Sequence, residues 1–318
     1  MEIGTEIAKK TLKVTSQRGI RTILHPTLDR QFKTNDRMLQ YCRLNTDMYT
    51  DNMFASTKLL RGNNLGQINV NDIDFIRFYP TKDCKEVPDT VSHFFREEYV
   101  PTTLIIDGAR AQIGQKVIKT CPDTNCKITQ LEFETPWANR AEMGIRELKR
   151  GVRRLIRSTR APLRLWDYCE QLQAKIRSST IHNNRRLEGE VSPTLLDGST
   201  ADISNLADFH GMNGLNTVNL PLDDYTLGRW LGPAPNIGNE IVWYLLKYHG
   251  KVVVRTTVWS LTEEETTSTK EQEHRKFYNI YRFRKYSVTL LLTTTSISLL
   301  HPPISLLKMN TVKLNHLQ

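Results

Sequence analysis

Long apolar segments are absent from this sequence of 318 residues. No stretch reaches the roughly 18 to 20 apolar residues that a membrane helix needs. The first residues, MEIGTEIAKKTLKVTSQ, also lack the apolar core of roughly 7 to 15 residues that a secretory signal carries. The sequence therefore predicts a protein of the nucleus or the cytoplasm, neither secreted nor membrane-spanning.

Cysteine is scarce and irregularly spaced. The chain has 5 cysteines, at Cys42, Cys84, Cys121, Cys126 and Cys169. An odd number without a regular spacing does not suggest a disulfide framework. This pattern favours free thiols in a reducing compartment, in agreement with the missing secretory signal.

Acidic residues are outnumbered, and the imbalance is local. The chain carries 44 Lys and Arg against 34 Asp and Glu, a formal net charge of +10. Residues 139–186 alone hold thirteen basic and four acidic side chains, a net charge of +9. A basic excess confined to one segment predicts contact with a polyanion better than a uniformly high isoelectric point does.

The apolar pattern predicts an α/β domain. Short β-branched or apolar runs predict strands at LGQINV, FIRFYP, TTLII and KITQLEFE. Apolar residues near helical spacing predict a helix that starts around Pro88, and two longer helices at residues 139–159 and 162–181. Strands and helices in this order favour a mixed sheet that helices cover on both faces.

Changes in composition divide the chain into five parts. Residues 1–40 are a polar, basic arm or linker, and residues 41–186 form the α/β core. Residues 187–226, rich in Asn, Gly and Asp, read as a loop-rich connection, and residues 227–261 as a small β-rich module. Residues 262–318 begin as a charged spacer and are predicted to be a disordered or adventitious tail.

Four carboxylates are candidates for a metal site. Asp107 ends a predicted buried strand, Glu142 follows 35 positions later at the start of a helix, and Asp47 and Asp51 lie four apart upstream. Each has an ordinary structural reading, as a turn residue, a helix-start acid or a solvated acid. If the sheet brings three of them together, their repulsion requires a cation, and Mg²⁺ suits such a site.

A basic stripe follows Glu142 on the same predicted helix. Its members recur at helical spacing and run away from the glutamate: Arg146, Lys149, Arg150 and Arg153, extended by Arg154 and Arg157. Most such charge runs are simply solvated faces. Because nearly the whole net charge lies in this segment, we expect the stripe to bind nucleic acid.

Together these motifs resemble a known family. YTDNMF, LIIDGARAQIG and TPWANRAEMGIRELKRG are similar to the DDE integrase of copia-type long-terminal-repeat retrotransposons. Pro136, Trp137, Asn139 and Glu142 stand at the positions of that family's SPWQNRAE motif. The segments LGRWLGPAPNIG and KVVVRTTVWSLT resemble the β-rich part that follows the integrase core.

The resemblance implies a ribonuclease-H-like catalytic core at residues 41–186. It implies that Asp51, Asp107 and Glu142 bind two Mg²⁺ or Mn²⁺ ions, with Asp47 in reserve as the first acid. It further implies a polynucleotidyl transferase that processes and joins DNA 3′ ends, with element ends and target DNA as partners and a homo-oligomer as the active form.

The sequence also departs from the family. No His-His-Cys-Cys module precedes the core, and the tail beyond about residue 268 matches nothing in the family. An inactive or domesticated relic that only binds nucleic acid therefore stays open as an alternative. A third reading treats the acids as an acid–base pair for glycoside hydrolysis, which gives the basic stripe no role.

Overall fold

A computed structural model describes most of the chain up to residue 276. The described residues are 4–17, 43–55, 60–107, 115–132, 139–198, 200–204, 206–216, 225–235, 242–269, 272, 273 and 276. Most of the expected arm, residues 133–138 with Pro136 and Trp137, and most of the expected tail lie outside this part.

The core is built on a five-stranded mixed sheet. Its strands are β1 (Arg43–Phe54), β2 (Leu65–Asn71), β3 (Ile76–Thr81), β4 (Val100–Ile106) and β5 (Lys127–Gln130). Their order is β3-β2-β1-β4-β5. The three strands β1, β2 and β3 pair antiparallel, whereas β4 runs parallel to both β1 and β5.

Helices cover both faces of this sheet. In chain order, the α-helices of the described residues are α1 (Thr5–Val14), α2 (Val87–Glu97), α3 (Gln115–Asp123), α4 (Arg140–Thr159), α5 (Trp166–Ser178), α6 (Ser192–Asp197) and α7 (Glu263–Thr267). Residues of α2 and α3 form one apolar cluster with one face of the sheet, and residues of α4 and α5 form another with the opposite face. The ribonuclease-H-like α/β class predicted from the sequence is confirmed.

The longest helix, α4, begins and ends at clear signals. The Asn139 side chain accepts a hydrogen bond from the backbone N–H of Ala141, and the helix ends at Arg160, whose φ of 51° is left-handed. Its buried residues recur every three or four positions: Ala141, Gly144, Leu148, Val152 and Ile156. The apolar stripe therefore faces the sheet and leaves the charged residues on the opposite side.

A second, antiparallel sheet follows the core. It contains β6 (Met212–Asn216), β7 (Tyr225–Pro233), β8 (Trp243–Leu246), β9 (Val252–Arg255) and β10 (Val258–Ser260), in the order β10-β6-β7-β8-β9. Its buried side chains share one apolar cluster with α4 and α5. The second sheet therefore packs against the core through α4 and α5.

The structure differs from the sequence-based expectations in three elements. The connection at 187–226 contains α6, β6 and the first residues of β7. Strand β6, MNGLN, has no β-branched residue, and at its Gly214 an added Cβ would lie 2.5 Å from the indole of Trp259. Its composition therefore resembles that of a loop.

The third difference is α1, which lies within the expected arm. The inward residues of α1 include Thr11, whose hydroxyl donates to the Ile7 carbonyl and accepts from the backbone N–H of Ile181. A hydroxyl on the buried side interrupts the apolar pattern that marks a helix in sequence, so the sequence does not indicate a helix here.

In the described part of the chain, no helix is both long and apolar enough to cross a membrane.

Candidate metal centre and basic face

Asp51 and Asp107 are brought together by strand register. The parallel pairing of β1 with β4 sets Tyr49 opposite Ile105, and Asp107 directly follows the last residue of β4. Continuing that register by two residues puts Asp51 beside Asp107. Because side chains alternate along a strand, both carboxylates lie on the face that α4 covers.

The start of α4 lies over this pair. An added Cβ at Gly144 would lie 3.2 Å from Cδ1 of Ile68, so the helix approaches β2 closely at this glycine. Ile68 is the residue that pairs with Asp51 across β1 and β2. Glu142, in the first turn of α4, is thereby held on the same side of the sheet as Asp51.

The electrostatics of Asp51 reflect this arrangement. The pKa of Asp51 is raised to about 6, chiefly by burial and in addition by the negative charges of Asp107 and Glu142. A side-chain hydrogen bond with Asp107 also favours the protonated form, whereas the backbone N–H of Asn52, 2.6 Å from Oδ1, opposes the shift. The charges of Asp107 and Glu142 therefore both act on Asp51.

The three acids do not form a closed cluster. Among the residues that the structure describes, no three His, Cys, Asp or Glu side chains are grouped closely enough to hold one metal ion. Asp51 and Asp107 are the close pair, and Glu142 acts on Asp51 by its charge alone. Two carboxylates match the number that Mg²⁺ commonly takes from a protein, with water and phosphate oxygens completing its shell.

Asp47 lies apart from this pair. It is exposed and pairs with Thr103, four residues before Asp51 on the same strand. Four residues of a strand span about 13 Å. Asp47 is also not among the charges that shift the pKa of Asp51. The structure therefore puts Asp51, rather than Asp47, next to Asp107.

The spacing of the pair bears on the glycoside-hydrolase reading. Carboxyl groups that share a hydrogen bond, as Asp51 and Asp107 do, are closer than the roughly 5 to 9.5 Å that separate the acid and base of glycosidases. Asp51 and Asp107 therefore do not have the spacing of a glycosidase acid and base.

Five of the six predicted nucleic-acid-binding residues are exposed on the outer face of α4. These residues, named here the basic face, are Arg146, Arg150, Arg153, Arg154 and Arg157. Among them, Arg150 also contacts Glu147 at 3.0 Å. The sixth, Lys149, is half-buried, and its charge opposes the raised pKa of Glu170.

Two groups close to these helices were not singled out from the sequence. Glu170 on α5 is fully buried, and within the described residues neither of its carboxylate oxygens has a hydrogen-bond partner. Arg61 contacts Asp167, which is 106 positions away in the chain. No local pattern marks either residue, because their partners are brought near only by the fold.

Comparison with known proteins gives likenesses of structure alone. No protein-family model and no curated protein matches the chain. The catalytic core domain of BIV integrase is similar, with 10% identity and a TM-score of 0.39 over 48% of this chain and 93% of that one. The HTLV-2 integrase catalytic core domain, in complex with magnesium in a trimeric form, has 11% identity and a TM-score of 0.37 over 48% of this chain and 97% of that one.

Proposed function

We propose that the protein is an integrase-like polynucleotidyl transferase that processes and joins DNA 3′ ends. The observation that carries this proposal is the adjacency of Asp51, close to the end of β1, and Asp107, directly after the parallel strand β4, with Glu142 held on the same side of the sheet by α4. Ends of parallel strands are where open α/β sheets carry their functional groups. The basic face begins one helical turn beyond Glu142.

Each acid has its own part in the proposal. Asp51 and Asp107 would hold the divalent metal, two Mg²⁺ or Mn²⁺ ions, and Glu142 would complete the ligand set from the helix. Bound ions would activate the attacking oxygen and stabilise the leaving oxygen of a phosphodiester. Burial of Asp51 removes water from one side of its carboxylate, which strengthens its attraction to a cation.

The basic face supplies the contact with DNA. Its arginines are exposed and follow the helix away from Glu142, so a phosphate backbone along α4 would pass the carboxylates at one end. Arginine binds phosphate oxygens through a forked pair of donors and keeps its charge at any physiological pH. The partners in this proposal are DNA ends and target DNA, with two or more copies of the chain acting on paired ends.

End joining with purified protein tests the proposal. We expect the wild type to join a labelled DNA end to a target duplex when Mg²⁺ or Mn²⁺ is present, and Glu142→Gln to lose this activity. Comparable joining by Glu142→Gln would remove that residue from the site. Loss in Glu142→Gln with normal DNA affinity would separate chemistry from binding.

A second candidate function retains the DNA contact without chemistry. It is favoured by the missing three-acid cluster within the described residues, because such a relic needs the basic face alone. In that case wild type and Glu142→Gln bind DNA equally well at low salt, and neither joins ends.

A further inference from the structure

One arginine connects the core to the second sheet. Arg61 lies between β1 and β2, and its Nε donates to Oδ2 of Asp167 at 2.6 Å. Its Nη2 donates to Oε1 of Gln171, also on α5, at 3.0 Å. Its guanidinium carbon lies 4.0 Å from the centre of the Tyr168 ring and 5.4 Å from that of Tyr244.

Tyr244 belongs to the second sheet, so the contact crosses between the two parts of the molecule. It lies on β8, and its ring meets that of Tyr168 edge to face with 5.1 Å between the ring centres. Both tyrosines and Asp167 are buried, and Arg61 is 22% exposed. A cation between two rings and a buried carboxylate is held far more strongly than one at the surface.

The connection that carries Arg61 is also tied to the strand of Asp51. The backbone N–H of Leu60 donates to the Arg164 carbonyl at 3.0 Å, which anchors the connection just before α5. The backbone N–H of Ala55 donates to the Asn64 carbonyl at 2.8 Å, directly after β1. A displacement of Arg61 therefore acts on the end of β1, four residues after Asp51.

We propose that Arg61 is a positioning residue that couples the second sheet to the strand carrying Asp51. Through Tyr244 on one side and the β1–β2 connection on the other, it sets the orientation of β8 and of the end of β1 together. The coupling itself involves neither metal nor DNA. Its consequence for end joining rests on the proposed function.

Hydrogen exchange measured residue by residue, without metal or DNA, tests the coupling. We expect Tyr244→Leu to speed exchange at the Ala55 and Asn64 amides about tenfold, because one of the two rings that hold the Arg61 guanidinium is lost. Tyr248→Leu is the control, because Tyr248 is an exposed tyrosine at the turn after β8. Equal exchange at Ala55 and Asn64 in the two variants would overturn the proposal.

A second variant, Arg61→Lys, tests the coupling even if Tyr244→Leu misfolds. Arg61→Lys keeps the charge and loses the forked donors, so it should speed exchange at the same two amides while leaving the fold intact. Wild-type exchange in Arg61→Lys would count against the coupling.

The reaction gives an independent measurement. We expect Arg61→Lys to lower kcat for end joining about tenfold while KM for a short DNA changes little, since the basic face is untouched. Equal kcat in wild type and Arg61→Lys would contradict the role in positioning. If the wild type joins no ends, the proposed function fails, and the exchange experiment still decides the coupling.

Discussion

Asp51, three residues before the end of β1, lies beside Asp107, which directly follows the parallel strand β4, in a register that the Tyr49–Ile105 pair fixes. Burial and the charges of Asp107 and Glu142 hold the pKa of Asp51 at about 6 instead of 3.8. Without a cation, an ionised Asp51 therefore costs folding free energy. A carboxylate whose ionisation lowers the folding stability at neutral pH is typical of a binding site rather than of a structural ion pair.

Asp51→Asn should stabilise the metal-free protein. Because the folded pKa is raised, the cost is absent below pH 4 and grows as the pH rises through 6. We expect urea unfolding at pH 8 in a chelator to show a gain of about 1 to 2 kcal/mol in the free energy of unfolding. At pH 4 the gain should be small.

Asp47→Asn is the matched control, because Asp47 is an exposed acid on the same strand. Its free energy of unfolding should stay near that of wild type at both pH values. An equal gain in both variants would mean that general charge reduction, not the local pair, is responsible.

Gly144→Val should weaken metal binding without removing an acid. A Cβ at Gly144 already approaches Ile68 Cδ1 to 3.2 Å, so a branched side chain forces the start of α4 away from β2. We expect a loss of about 1 to 3 kcal/mol in the free energy of unfolding, typical of overpacking, and a weaker affinity for Mn²⁺ in calorimetry.

Gly151→Val separates the loss of stability from the loss of metal affinity. Its Cβ would meet Nε2 of Gln173 at 2.5 Å, two turns further along α4, where a flexible side chain can move aside. Its Mn²⁺ affinity should match wild type. An unchanged affinity in Gly144→Val would show that the position of Glu142 does not matter.

Removing charge from the basic face should weaken DNA binding in a salt-dependent way. The double variant Arg153→Gln, Arg157→Gln removes two exposed cations from α4. We expect the slope of log affinity against log salt to fall by about 2, roughly 1 for each DNA phosphate that the variant no longer neutralises. Fluorescence anisotropy with a labelled duplex at several salt concentrations measures this slope.

Lys10→Gln provides the control, since Lys10 is an exposed cation on α1. It should leave the slope as in wild type. The same slope in the double variant would locate the DNA contact elsewhere on the protein.

Replacing Glu170 should stabilise the fold increasingly as the pH rises. Burial raises the pKa of Glu170 well above its usual value, and its oxygens have no hydrogen-bond partner among the described residues. Since a raised acid pKa means that stability is lost as pH rises, the advantage of Glu170→Met should grow from pH 5 to pH 9.

At neutral pH we expect a gain of about 1 to 3 kcal/mol for Glu170→Met, the usual cost of a buried unpaired polar group. Glu170→Gln keeps a polar group in place and should gain less. Destabilisation by Glu170→Met in thermal and urea unfolding would mean that Glu170 contributes a favourable contact.

The α/β core could be predicted from the sequence because its strands and helices carry clear apolar patterns. LGQINV and FIRFYP became β2 and β3, and the helix entered at Pro88 became α2. Asp107 was marked by its place after a buried run, and the spacing to Glu142 suggested a shared site. These patterns involve residues close together in the chain, so one sequence is enough to show them.

The parts of the fold and of the site that the sequence does not predict depend on contacts between distant residues. The sequence favours Asp51 as the first acid only by resemblance and keeps Asp47 in reserve, whereas the register of β1 against β4 puts Asp51 beside Asp107. The contact of Arg61 with Tyr244 needs both sheets in place. Likewise, the sequence of β6 is typical of a loop, because Gly214, which leaves room for Trp259, also weakens the strand pattern.

Metal binding to the strand-end acids tests the central claim most directly. We predict that calorimetry or electron paramagnetic resonance shows Mn²⁺ bound by the wild type, with affinity lowered by about tenfold or more in Asp51→Asn and in Asp107→Asn. Asp47→Asn should bind as the wild type does. Equal binding by all four proteins, or a loss in Asp47→Asn alone, would contradict the account.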